Sequence, residues 1–365
     1  FVIARRNPLF WGMGLLVVAL VVLIPRNELN DEFIKYFDKS IDFRNDTEFA
    51  TTHLTGIYTI EYSLGNGETG GISEPDFLRD VDRFADWYRK QPGVLHVNSL
   101  TDIMRRLNKN RHGDDPAWYR LPDQRNLAAQ YLLLYEMSLP YGLDLNNQVD
   151  ISKSATRMTV SLESISSNEL LGMERRAQQW LTENAPHMQS DGASPSVMFA
   201  YIGQRNIRSM LTGTSIALVL ISLILIFALR SLKLGLVSLV PNLAPAAMGF
   251  GLWGLLSGQV GLGLSVVMGM TLGIVVDDTV HFLSKYLRAR REQGLDSQAA
   301  VRYAFHTVGI ALVVTSLVLI AGFMVLAQSA FKLNADMGFL TAMIIGLALL
   351  ADFIFLPPLL MKVDK

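Results

Sequence analysis

Five stretches of the chain carry no charged side chain: 7–25, 209–229, 234–276, 303–331 and 337–351. Within them apolar residues recur on every side of a helical wheel, the pattern of a helix surrounded by hydrocarbon rather than one lying on a core. About 20 such residues cross a bilayer interior of roughly 30 Å. The third stretch has 43 residues, too many for one crossing, and Ser257, Gly258 and Gln259 form a turn inside it. The fifth continues past a lone Asp352 to Met361. Six spans are therefore predicted, at about 8–25, 209–229, 234–256, 261–284, 304–327 and 337–361.

Residues 26–207 follow a different rule. Residues 57–64 (IYTIEYSL) alternate as a strand does. Residues 75–90 have helical spacing, with Phe77, Val81, Phe84 and Tyr88 toward a core. After the turn Gln91-Pro92-Gly93, residues 94–97 read as a short strand. The same order returns later: 157–163 (RMTVSLE) alternates, Ser167–Asn184 is helical, and 196–200 is expected to supply a final strand. Residues 124–138 read as a helix, and 110–121 and 140–150 as loops. Two β-α-β units with an insertion between them suit a ferredoxin-like sandwich. The predicted fold class is thus a polytopic α-helical membrane protein with an α+β outer domain. Its parts are a first helix (1–25), the outer domain (26–207) and a five-helix membrane domain (208–365).

Charge sharpens this division. The 365 residues hold 32 Lys and Arg, 33 Asp and Glu, and no cysteine. Residues 26–207 contain 26 acids and 19 bases, a balance of −7, whereas the remainder contains 7 acids and 13 bases, a balance of +6. Half the chain is apolar, which excludes disorder, and the lack of Cys excludes a disulfide scaffold. An acidic outer domain argues against nucleic acid as a partner. Eleven short-loop bases fall on one side if six spans alternate: Arg5, Arg6, Arg230, Lys233, Lys285, Arg288, Arg290, Arg291, Arg302, Lys362 and Lys365. The opposite short loops hold only Lys332. Both termini are therefore expected in the cytoplasm and 26–207 outside it, in the periplasm of a bacterial inner-membrane protein. The basic stretch 282–303 suits contact with anionic membrane lipids. The first helix lacks a small-x-small cleavage site before Pro25 and reads as a span rather than a signal peptide. The chain starts with Phe1 rather than Met and is expected to be part of a longer polypeptide.

The outer domain contains no catalytic pattern. His53, His96, His112 and His187 have no ligand spacing, so no metal and no cofactor is expected. Asp114-Asp115 sits beside Pro116 as a turn. Residues 65–71 (GNGETGG) lack the GK[ST] ending of a phosphate loop and read as a strand-to-helix connection.

The informative residues are acids within the spans. Asp277 is about 24 Å along the fourth span and Asp352 about 23 Å along the sixth, at 1.5 Å per residue. An acid so deep costs at least about 2.5–3.5 kcal/mol and normally faces a cavity or a partner. Ser265, Gly269, Gly273, Asp277 and His281 recur every four residues and form one stripe of the helix. The small residues of that stripe are expected to admit another helix, so that Asp277 points into a seam. Asp278 points about 100° away. Two adjacent acids in low dielectric cannot both carry charge cheaply, which is the physical basis of a proton relay. No Lys or Arg lies deep in these helices to neutralise them. Asp277 and Asp278 are the expected relay, with His281, Thr315, Ser316 and Asp352 as supporting groups. Thr315 and Ser316 are equally able to bond their own helix. Pro241, Asn242 and Pro245 are expected to bend the third span.

Four runs carry a resemblance: GIVVDDTVHFLSKY from Gly273, VPNLAP from Val240, TVGIALVVTSLVLIAGF from Thr307 and ADFIFLPPLL from Ala351. They resemble the RND superfamily, in particular its MMPL-like and Patched-like exporters with a sterol-sensing-type membrane domain. One helix, a large outer domain and five further helices resemble one half of such a transporter. The resemblance implies a twelve-helix exporter of lipidic or amphiphilic molecules, driven by protons through an acid matching Asp277. It also implies an outer porter domain and the N-terminal half of the same transporter as partner; a homo-oligomer is left open. Many MMPL-like members have Tyr where this chain has Asp278. The runner-up reading is a sterol- or lipid-sensing binding protein without transport. An intramembrane aspartyl protease is disfavoured, since the acids sit in VVDD and LLAD rather than YD and GxGD, and no enzymatic activity is expected.

Overall fold

The structure, a computed structural model, describes residues 1–140 and 142–364. It contains two compact units, one of Phe1–Ile41 with Gly203–Lys365 and one of Asp42–Ile202. Lys365, counted above among the short-loop bases, lies outside the described residues.

Among the described residues six helices are long and apolar enough to cross a membrane: Arg6–Arg26, Pro195–Ala228, Leu232–Leu256, Leu262–Glu292, Ser297–Leu326 and Lys332–Val363; all lie in the first unit except residues 195–202 of the second helix. These are the six expected spans, several of them longer because their polar ends remain helical outside the apolar run. The second membrane helix begins at Pro195, where a strand was expected over 196–200. The reason is a start signal: Ser194 Oγ accepts the N–H of Val197 at 3.0 Å, and proline takes the first helical position, where its missing N–H costs nothing. Pro241 and Pro245 lie within the third helix without ending it. Two glycines set close approaches. A Cβ on Gly251 would lie 1.9 Å from the carbonyl oxygen of Leu20, and one on Gly338 would lie 2.6 Å from that of Phe323.

Two membrane helices contain π-helical turns, Phe305–Gly309 in the fifth and Ala351–Phe355 in the sixth. The second has a cause in the sequence. Pro357 and Pro358 offer no N–H to the carbonyls of Phe353 and Ile354, so the ladder shifts register there. The rings of Phe282 and Phe305 lie 5.2 Å apart, as do those of Phe305 and Phe353, which knots the two turns together.

After the first helix the chain forms a strap over the ends of the others. Glu28 and Leu29 pair in parallel with Gln259 and Val260, and Asp38 donates its N–H to Ala330 O at 2.9 Å. Asp31, at the centre of the strap, is buried. It accepts the Tyr36 hydroxyl on Oδ1 and the N–H of Leu262, first residue of the fourth helix, on Oδ2 at 3.0 Å. Burial pushes its carboxyl above the usual range, opposed by these two bonds and by the charge of Lys332.

The second unit contains α1 (Asp42–His53), β1 (Tyr58–Gly65), α2 (Pro75–Arg89), β2 (Val94–Asn98), α3 (Leu100–Arg111), α4 (Arg125–Ser138), β3 (Ala155–Leu162) and α5 (Ser167–Asn184). Helix α1 was not expected. The strands form an antiparallel sheet of order β1-β3-β2. Instead of a fourth strand, Ala193 and Glu61 exchange both backbone bonds, at 2.8 and 2.9 Å, in a single antiparallel bridge. Phe84 is fully buried against Tyr62, Tyr88 and Trp180, and the hydroxyls of Tyr62 and Tyr88 bond each other at 2.6 Å.

Candidate functional site

Three consecutive residues of the fourth membrane helix, Asp277, Asp278 and Thr279, step round it by about 100° each and so face three directions. Thr279 is fully buried, and its hydroxyl donates to Asp352 Oδ1 at 3.0 Å. Asp352 is 1% exposed and sits in the π-turn of the sixth helix. Its second oxygen, Oδ2, has no hydrogen-bond partner among the described residues. Asp278 is half-buried; it lies within electrostatic reach of Asp352 and accepts the Ser316 hydroxyl at 3.4 Å. The fourth, fifth and sixth helices thus converge on two carboxyl groups and two hydroxyls. No Lys or Arg among the described residues is paired to them.

Asp277 is placed elsewhere. Its side chain is 72% exposed, and it faces His281, whose Nε2 lies 3.5 Å away and is itself on the open face. The seam expected along the stripe is only partly made by this chain. Ser265 is buried and donates to Met210 Sδ at 3.0 Å, and a Cβ on Gly269 would lie 3.3 Å from Thr214 Oγ1, so the second helix covers the upper stripe. Below that point a Cβ on Gly273 would meet nothing, and Asp277 and His281 are uncovered. The expectation that Asp277 points into a seam is therefore corrected: within this chain the enclosed acid is Asp352, with Asp278 between it and the open face. The two hydroxyls of the fifth helix also part. Ser316 reaches Asp278, while Thr315 bonds the carbonyl oxygens of Ala311 and Leu312 at 2.9 and 3.1 Å.

Three further side chains of this unit hold a buried polar atom without a partner among the described residues: Asn27 Oδ1, Asn242 Oδ1 and Thr341 Oγ1. Leaving such an acceptor unmade costs about 1–3 kcal/mol, so each marks a place where packing alone does not account for the residue. Thr279 and Asn242 were missed as site residues. Their signal was present, a polar residue on the face of an apolar helix opposite the glycines and another within the VPNLAP run. Asp31 gave none, because its burial depends on loops 231 residues apart in the chain. Among the described residues no three His, Asp or Glu side chains gather as a metal would need.

The MMPL family model matches residues 153–363, more than half of the chain. None of the curated proteins matches it.

Proposed function

The chain belongs to the MMPL family, a family of RND-type membrane transporters, and from that premise we propose that it acts as a proton-driven exporter of hydrophobic or lipidic molecules. The observation that carries the reading is the pair Asp278 and Asp352, braced by Ser316 and Thr279 inside the spans, with no Lys or Arg among the described residues paired to it and only the titratable His281 within electrostatic reach of Asp278. A buried carboxylate with no cation is costly, whereas a carboxyl that takes and releases a proton is not. Asp277 and His281, on the open face, are the groups a second half of the transporter would meet, and the uncovered glycine beside them leaves room for its approach.

In this reading the chain is one half of a twelve-helix pump in a bacterial inner membrane, with both termini cytoplasmic. The outer unit is read as a ferredoxin-like porter domain. Its antiparallel order, with the Ala193 bridge on the free side of β1, supports this, the bridge standing in for the fourth strand. The test is gradient-driven efflux of a lipophilic fluorescent dye from proteoliposomes containing the whole transporter. Asp277→Asn and Asp278→Asn are expected to abolish the dependence on the pH gradient. Efflux that is unchanged in both would remove the relay. Lipid binding with no flux in the parent would favour the sensing protein instead.

A further inference from the structure

At the membrane end where the second helix finishes, an arginine occupies a glycine's place. Arg230 donates its N–H to Phe227 O and Ser231 donates to Ile226 O, both at 3.2 Å, the paired bonds that close a helix with a left-handed residue. Arg230 is that residue, with φ 46°. A side chain is penalised in this conformation, which is why glycine usually holds it. Such local strain persists where the side chain has another use.

Beside this turn lies a cavity of about 360 Å³ between the ends of the second and fourth helices. Its lining combines the apolar Ala228, Leu229 and Leu287 with the charged Lys285, Arg288, Arg291 and Glu292. Arg288 is neutralised by Glu292 at 2.8 Å. Arg291 donates only to a neutral group, the carbonyl oxygen of Arg230, at 3.3 Å. Lys285 forms no ion pair among the described residues, and Arg230 is exposed on the turn that borders the cavity. Three positive charges therefore have no ion-pair partner among the described residues, beside the apolar residues of the lining. Leading away from it along the second helix, Phe227, Ile224, Leu223 and Leu220 are all more than half exposed.

We propose that this pocket binds the phosphate of an anionic lipid, with Lys285, Arg291 and Arg230 on the headgroup and the exposed apolar face of the second helix along the acyl chains. Arginine and lysine at this depth match phosphate chemistry, and the apolar track selects a lipid over a free anion. The site lies about two turns of the fourth helix beyond Asp277, roughly 12 Å along its axis, and does not depend on the transport reading.

The test is lipid retention by the detergent-purified protein, offered phosphatidylglycerol and phosphatidylcholine together and read by native mass spectrometry. Phosphatidylglycerol is expected to be retained in preference. Lys285→Gln and Arg291→Gln should each lower its retention about fivefold. Arg230→Gly separates recognition from folding, since glycine relaxes the turn: thermal stability should hold or rise while retention falls. Lys362→Gln, a base seated over the Phe10 and Trp11 rings, should leave retention unchanged. Equal retention of the two lipids, or retention indifferent to all three substitutions in the pocket, would overturn the proposal. Displacement of the lipid by inorganic phosphate at equal concentration would overturn the lipid assignment in favour of a free-anion site.

Discussion

Glu174 in the second unit and Asp352 in the membrane unit are almost equally enclosed, 3% and 1% exposed, yet they are kept in opposite ways. Glu174 accepts from Gln178 at 2.8 Å, from the Tyr201 hydroxyl at 3.0 Å and from the N–H of Gly192 at 3.4 Å. Asp352 has one partner, Thr279, and an oxygen left over. The contrast extends to the units: among the described residues, of the buried side-chain atoms without a partner only Asp82 Oδ1 belongs to the second unit, against Asn27, Asn242, Thr341 and Asp352 in the first. A carboxylate held by three donors is finished as structure. One left half-made inside a span is a place where something else has to arrive.

The comparison is broken or sharpened most strongly at Asp352. Asp352→Asn is expected to abolish gradient-driven efflux while the protein folds and inserts as before; a variant that pumps normally would put Asp352 in the same class as Glu174. In the second unit the expected loss is of stability instead. Phe84→Ala should cost about 3–5 kcal/mol, measured by unfolding of the whole protein. Gly251→Ala should cost about 1–3 kcal/mol in the membrane unit, since the added methyl would press on the Leu20 carbonyl and the first and third helices would have to part.

The smallest effect concerns Asp31. Burial raises its carboxyl pKa, so the folded protein binds that proton more tightly than the unfolded chain does. Stability should therefore fall as pH rises from the ordinary carboxylate pKa through the raised one. Asp31→Asn should flatten that slope, a change in Tm of at most a few degrees. A slope identical in the variant would assign the dependence to another group.

The spans were legible because crossing hydrocarbon demands length and uniform apolarity, and both are local properties. Helices α2 and α5 were legible for a similar reason, each carrying one apolar face. The first turn of the Pro195–Ala228 helix was misread because its apolar residues suit a strand equally, and only the Ser194-Pro195 start distinguishes the two. The site was legible in composition but not in rank. Helical spacing states the angle between Asp277 and Asp278, but not which side the other helices cover. That choice is tertiary, and it turned the weight from the stripe of Gly269, Gly273 and Asp277 toward Thr279 and Asp352.

The two π-turns carry a mechanical consequence. A helix resists bending through its regular ladder of backbone bonds, and where that ladder has slipped the resistance is least. The fifth and sixth spans are in that sense each two stiff rods with a joint, and Phe282, Phe305 and Phe353 form the bearing between the joints. Asp352 is set at the elbow itself. Flexing there alters how tightly its unpaired oxygen is wrapped, with no need for either rod to deform.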